Sequence, residues 1–242
     1  MTTLLDRSTH AQPAAPPEPG YGDLTRLLAL MTGDEKHDFS AHSTLDVIWV
    51  LYDRVMHVSP AMITDPTRDR FLLSKGHGPM AFYAVLAAKG FIAAEALLTF
   101  GNFDSPLGYH PDRNLIPGVE ISSGSLGHGL PLAIGVTLAL DYRVQPGGRV
   151  FVLVGDAELD EGTNQEAIAF AGRAGLDRLN AVVIDNRSAS HGWPGGIDAR
   201  FALEGWSTEV CDGRDHDRIE HALTMPHPGR PHVVVARVEE GS

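Results

Sequence analysis

The sequence predicts an α/β protein built on a parallel sheet with helices on both faces. Three observations carry that expectation. Short, nearly continuous apolar runs recur at 150–154 (VFVLV), 179–184 (LNAVVI) and 232–238 (HVVVARV). Helical periodicity fills the intervals at 163–174 and 215–223. The chain, at 242 residues with 43% hydrophobic and 21% charged residues, is long enough to bury one sizeable core. Strands buried on both faces lose the polar alternation of a half-exposed sheet, and in such folds ligands bind at the carboxyl ends of the strands.

Taken in order, residues 1–21 are dense in Pro, Ala and polar residues without apolar periodicity and read as a flexible leader, leaving 22–242 as a single domain. From Ser43, the spacing of Leu45, Ile48, Trp49, Tyr52, Val55 and Met56 predicts a buried helix with Ser43 or Thr44 as its N-cap. A second helix is expected over 79–89, stopped by Gly90, and a third over 130–144 after the glycine loop 124–129. The strand-and-helix alternation starts at Arg149. No repeat with a period of 20–50 residues is visible, and the Pro/Gly-rich stretch 192–196 is short enough to be a site loop.

Composition narrows the function classes. The chain is not disordered, collagen-like or a coiled coil. With 19 Lys and Arg against 31 Asp and Glu, its net charge of −12 repels nucleic acid and anionic membranes, and no local basic patch reverses it. A single cysteine, Cys211, precludes an internal disulfide and a multi-cysteine zinc site, and fits a reducing, cytoplasmic setting. No apolar run reaches the roughly 18–20 residues of a membrane span, and the amino terminus lacks the pattern of a secretory signal.

Chemistry gathers at two strand ends. Gly155-Asp156-Ala157 ends the first apolar run and Asp185-Asn186-Arg187-Ser188 follows the second, so Asp156 and Asn186 stand thirty positions apart on what should be neighbouring strands. One carboxylate and one amide oxygen make a poor all-protein metal cage, yet Mg²⁺ prefers few protein oxygens, with phosphate and water completing its octahedron. A diphosphate brings its own negative charge, so few carboxylates balance the ion, and Gly155 allows close approach of the backbone. Taken singly, either dipeptide also reads as a turn after a strand.

With these residues in view, the sequence resembles the thiamine diphosphate enzymes, and within them the amino-terminal half of transketolase. The cofactor motif of that family is matched from Gly155-Asp156-Ala157 to Asn186. Ser74-Lys75-Gly76-His77-Gly78, Gly108-Tyr109-His110-Pro111-Asp112 and the run 117–129 (PGVEISSGSLGHG) follow in the family's order. The likeness covers about 22–238 and is that of the separately encoded amino-terminal subunit of a split transketolase, with the thiamine diphosphate-binding fold. It implies Asp156, Asn186 and the backbone carbonyl of Ser188 as ligands of Mg²⁺ or Ca²⁺. Gly155, Ala157 and His77 would lie at the diphosphate, and Gly124 and Leu126 at the aminopyrimidine. Glu161 and Glu166 match acidic positions near the subunit interface. His37, His77 and His110 would meet the donor sugar or the developing charge.

Histidine suits that task, because breaking a C–C bond beside a carbonyl requires one proton to be removed and another returned, and imidazole does both near neutrality. The chain has 12 histidines, and His10, His42, His57, His216, His221, His227 and His232 have no motif around them. Departures from the family are specific. The glycines usual after the first histidine are absent from Lys36-His37-Asp38-Phe39-Ser40-Ala41, His128 replaces a glutamine, and Arg187 to Pro194 replaces the family's loop after Asn186. A further histidine of the family lies beyond Ser242, and no second α/β pattern houses the glutamate that activates the pyrimidine.

The resemblance therefore implies a carboxyl-terminal partner subunit, a heterotetramer, and ketol transfer from a ketose-type donor to an aldehyde (EC 2.2.1.-). The alternatives are the α subunit of a 2-oxoacid dehydrogenase-like enzyme, against which SKGHG and GSLGHG argue, and a non-catalytic thiamine diphosphate-binding subunit, against which His77 and His110 argue. A dinucleotide-binding reading of the 124–129 glycines is weaker, since their order is reversed.

Overall fold

The computed structural model describes residues 19–32, 38–76, 78–143 and 147–238. Five parallel strands form one sheet: β1 (Arg70–Leu73), β2 (Val150–Gly155), β3 (Leu179–Asp185), β4 (Ser207–Asp212) and β5 (His232–Arg237), in the spatial order β1-β2-β3-β5-β4. The side-chain period of two divides each central strand between two cores. Phe151 and Leu153 of β2 and Val182 and Ile184 of β3 face a core shared with α1 (Leu24–Leu28), α2 (Asp38–Val50), α3 (Pro79–Ala88) and α7 (His216–Leu223). Val150, Val152, Val154, Ala181 and Val183 face the other, covered by α4 (Gly129–Tyr142), α5 (Gly162–Ala174) and α6 (Ile197–Leu203). Both faces are thus dry, which is why these strands are continuous apolar runs in the sequence.

Local chemistry sets the helix ends. Pro79 opens α3 after Gly78 in the left-handed region (φ 82°), and all ten residues of α3 are buried, so its apolar character runs round the whole helix. Gly175, at φ 63°, ends α5. Asp215 caps α7 by accepting the amides of Asp217 and Arg218.

The α2 expectation needs correction. The helix starts at Asp38, and Ser43 is no cap: it is buried inside the helix, its hydroxyl accepting from Lys75 Nζ at 2.8 Å. The apolar spacing after Ser43 continues through a π-turn, Leu51–Val55. Strands β1 and β4 and helices α1 and α6 add to the predicted elements. Of the stretch read as a leader, 1–18 lie outside the described residues, while Tyr21 already packs on the domain, its hydroxyl donating to buried Asp46 at 2.5 Å. Among the described residues no helix is long and apolar enough to cross a membrane.

Candidate active site

The carboxyl ends of β1, β2 and β3 lie side by side and each releases one of the sequence motifs. β1 runs into Ser74-Lys75-Gly76, β2 into Gly155-Asp156 and β3 into Asp185-Asn186. Parallel pairing sets Gly155 opposite Ile184, and the Asp156 amide donates to the Ile184 carbonyl at 3.0 Å, so Asp156 and Asn186 occupy adjacent strand tips as the spacing predicted.

Asp156 is 1% exposed. Its Oδ1 accepts from the Ala157 amide (2.8 Å) and the Ser188 hydroxyl (2.5 Å), and its Oδ2 from the amides of Ser188 (2.8 Å) and Ala189 (3.2 Å). These four bonds fill the acceptor positions of a carboxylate. Ser188, whose carbonyl the resemblance assigns to a metal, also donates its amide and hydroxyl to Asp156. Asn186 Oδ1 is buried with no hydrogen-bond partner. Such an orphaned oxygen is the kind of donor a hard cation takes. The oxygen-only set fits an ion shared with a diphosphate, provided the Ser188 hydroxyl yields its place on Oδ1. Arg187, between them, is the non-glycine residue with positive φ (60°) among those described, a backbone setting that concentrates at functional sites.

The glycine loop meets His110. Ser122 Oγ donates to Asp112 (3.0 Å) and the Ser123 amide to the Pro111 carbonyl (3.1 Å), which stitches 108–112 to 121–124. The His110 ring consequently lies between two glycines. A Cβ on Gly76 would be 3.4 Å from its Cε1, and one on Gly124, at φ 126°, would be 3.2 Å from its Cδ2. His110 itself is exposed, as is Leu126. Glu161 caps α5 without a side-chain bond and packs against Gly127; Glu166 is exposed one turn on. Ala157 begins the 3-10 turn Ala157–Asp160. His37 and His77 lie outside the described residues, each beside a described part of the site, α2 and Gly76.

Sequence reasoning missed three participants. Glu158, 1% exposed, accepts from the Ser74 hydroxyl, the Gly127 amide (2.9 Å) and the Gly155 amide (3.2 Å). Ser74 Oγ in turn accepts from the Gly129 amide at 2.9 Å. Burial raises the Glu158 carboxyl, and the bonds from Ser74, Gly127 and Gly155 and the charge of Lys75 oppose that shift. Lys75 is 9% exposed with its stem against Gly155; burial lowers its ammonium to about 8, opposed by Asp156 and Glu158. Ser74 and Lys75 stand in the Ser74-Lys75-Gly76-His77-Gly78 motif, which was the available signal. Among the described residues no three His, Cys, Asp or Glu gather as a metal cage.

The chain matches the family described as "Transketolase, thiamine diphosphate binding domain" over residues 25–239. It is 56% identical over 240 residues to the "Ferredoxin fas2" of Rhodococcoides fascians, covering 99% of this chain and 79% of that protein. It is 35% identical to an apulose-4-phosphate transketolase subunit of Actinobacillus succinogenes, covering 83% of this chain and 75% of that protein. A solved transketolase from Pichia stipitis superposes with a TM-score of 0.68 at 25% identity over 84% of this chain, which spans only 36% of the larger protein.

Proposed function

Because this chain belongs to the transketolase family, as its thiamine diphosphate-binding part, we propose that it is the amino-terminal subunit of a two-subunit enzyme transferring a two-carbon ketol unit from a ketose-type donor to an aldehyde acceptor. The observation that carries this reading is the meeting of the SKG, GD and DN segments at three adjacent strand tips, with His110 seated between Gly76 and Gly124 beside them. The relative from Actinobacillus succinogenes, named as one subunit of a transketolase and three-quarters covered by this chain, supports the division into two subunits.

When bound, thiamine diphosphate supplies a nucleophilic carbon and an electron sink for cleaving the bond next to a ketone. In our reading Asp156, Asn186 and Ser188 hold Mg²⁺ or Ca²⁺ on the diphosphate, and Gly155 and Ala157 let it approach. Gly124 and Leu126 flank the aminopyrimidine ring. His110, its ring held between Gly76 and Gly124, moves a proton at a ring nitrogen. His37 and His77 share the handling of charge at the sugar. The work of all three is the general acid–base chemistry of a polarised hydroxyl.

The partner would supply the pyrimidine-activating carboxylate. Its docking face is α4 and α5, where Leu132 (48% exposed), Tyr142 (90%) and Phe170 (50%) join exposed Leu126 and Leu138, with Glu161 and Glu166 along the rim. Two copies of each subunit would complete the enzyme, working in the cytoplasm. The ferredoxin name of one relative has no counterpart in these residues, because iron–sulfur clusters are held by several thiolates, commonly four, and this chain holds Cys211 alone.

The test is co-expression with a carboxyl-terminal transketolase-like subunit, calorimetry of thiamine diphosphate with and without Mg²⁺, and two-carbon transfer from a panel of ketoses. Magnesium-dependent binding with transfer is the expected result. A complex that neither binds the cofactor nor transfers carbon would refute the reading.

A further inference from the structure

We propose that Glu158 is a positioning residue for thiamine diphosphate, joining through one buried carboxylate the three backbone segments that surround the cofactor. The inference rests on the cofactor reading above and deepens it. Each of the three segments carries a sequence motif, and Glu158 is the residue that bonds to all three.

Glu158 sits in the turn after β2, two positions beyond Asp156, and its side chain is directed into the protein. One oxygen takes the Ser74 hydroxyl and the Gly127 amide, and the other takes the Gly155 amide. Ser74 begins the segment that leads to Gly76 and His77. Gly127 belongs to the loop assigned to the aminopyrimidine, and Gly155 to the diphosphate side. Through Ser74 Oγ the network also reaches the Gly129 amide, the first residue of α4.

A carboxylate is required by the donor count. All three groups facing it are N–H or O–H donors, and an ionised carboxylate only accepts. An amide in its place keeps one accepting oxygen and turns an NH₂ toward a donor. The contacts are also tight. A Cβ on Gly127 would meet Glu161 Cβ at 2.7 Å, and one on Gly129 would meet Ser74 Cβ at 2.1 Å, so the loop has no slack to absorb a lost bond. The fourth strut is Lys75, whose stem lies along Gly155 and whose ammonium reaches Ser43 on α2 at 2.8 Å, carrying the network toward the helix that follows His37. Asp156 and Glu158 are the carboxylates that interact with this ammonium.

At 1% exposure, Glu158 would act on the cofactor through these segments and not by contact. Its effect is on the separation of the ring-facing loop and the diphosphate-facing tip, so it belongs in cofactor affinity more than in turnover.

The experiment uses the full chain co-expressed with its carboxyl-terminal partner. Glu158→Gln is compared with wild type by calorimetry of thiamine diphosphate in Mg²⁺, by thermal melting, and by kcat at saturating cofactor. The expected result is a Kd raised at least about tenfold, as loss of a buried charge-assisted bond implies, with kcat at saturation within about threefold of wild type. An unchanged Kd, whether or not the melting temperature falls, overturns the inference, because a merely structural residue gives that pattern. Should Glu158→Gln fail to fold, Ser74→Ala removes one donor only, and its Kd is expected to rise several-fold; a wild-type Kd there overturns the inference equally. Wild-type complex that binds no thiamine diphosphate overturns the cofactor reading itself, and wild-type binding with unaffected variants overturns only the role of Glu158.

Discussion

Ser188 donates its backbone N–H to Asp156 Oδ2 at 2.8 Å and its hydroxyl to Asp156 Oδ1 at 2.5 Å, tying the segment after β3 onto the tip of β2. One carboxylate thereby fixes the loop that the family resemblance places over the cofactor, and a metal ion would have to share that carboxylate with the loop.

Two substitutions separate these roles. Asp156→Ala is expected to abolish Mg²⁺-dependent retention of thiamine diphosphate through gel filtration. Ser188→Ala keeps the amide bond and should retain the cofactor while losing about 1.5–3 kcal/mol of stability, the usual worth of a hydrogen bond to a charged group. Retention of cofactor by Asp156→Ala would rule out this metal site.

His110→Ala should leave thiamine diphosphate affinity near wild type and lower kcat on the order of 10²-fold, the lower end for loss of a general acid–base. Gly124→Ala should lower kcat as well, since its Cβ would stand 3.2 Å from the His110 ring and its φ of 126° is unfavourable for alanine. Steady-state kinetics at saturating cofactor gives the answer, and full activity in both variants would exclude His110 from the chemistry.

Phe170→Glu and Leu132→Asp place charges on the exposed α4–α5 face without touching either core. Each should leave the circular dichroism spectrum and melting curve of the isolated chain unchanged while preventing co-purification with the partner. Co-purification unaffected by the double variant would move the interface elsewhere.

His232, buried at the start of β5, has its pKa lowered by burial, against the opposing effect of the bond between its Nε2 and the Ala222 carbonyl. The unfolded chain therefore binds the proton first. Stability from this group is full above the unfolded pKa of about 6.5 and is lost as pH falls from there through the lowered folded value. Thermal melts from pH 8 to pH 5 should show His232→Gln losing less stability than wild type over that window. Parallel curves would refute the assignment.

Burial and the neighbouring carboxylates of Asp212, Asp215 and Glu209 push the Cys211 thiol up to about 11. At neutral pH almost no thiolate forms, so iodoacetamide should leave the folded protein unlabelled over hours and modify it readily in denaturant. Rapid labelling of the folded chain would contradict this placement.

The sheet was legible where its physics is local. β2, β3 and β5 are dry on both faces, so apolarity alone marked them within a residue or two. β1 has four residues and opens with Arg70, and β4 lies at the sheet edge with no fully buried residue, so neither made an apolar run. Ser43 misled because a serine before an apolar stretch reads as a cap, while here its hydroxyl serves Lys75, thirty-two positions away.

The candidate site divides the same way. Asp156 and Asn186 were readable because each directly follows a strand, and strand parity carries that position into space. Glu158 was not, although it stands in the same acidic stretch as Asp160 and Glu161. Nothing in a run of carboxylates says which one turns inward.

By itself the sequence determined the parallel sheet and the strand ends that carry Asp156 and Asn186, because these follow from hydrophobic period, and its matched motifs carried the resemblance to the family. Only the tertiary structure decided that Glu158 would face three donors, that His110 would rest between Gly76 and Gly124, and that Ser188 would bind Asp156 through its amide and hydroxyl. Those relationships join residues as far as 84 positions apart, and hydrogen-bond partners at such separations are set by the packing of whole layers, which no local pattern encodes.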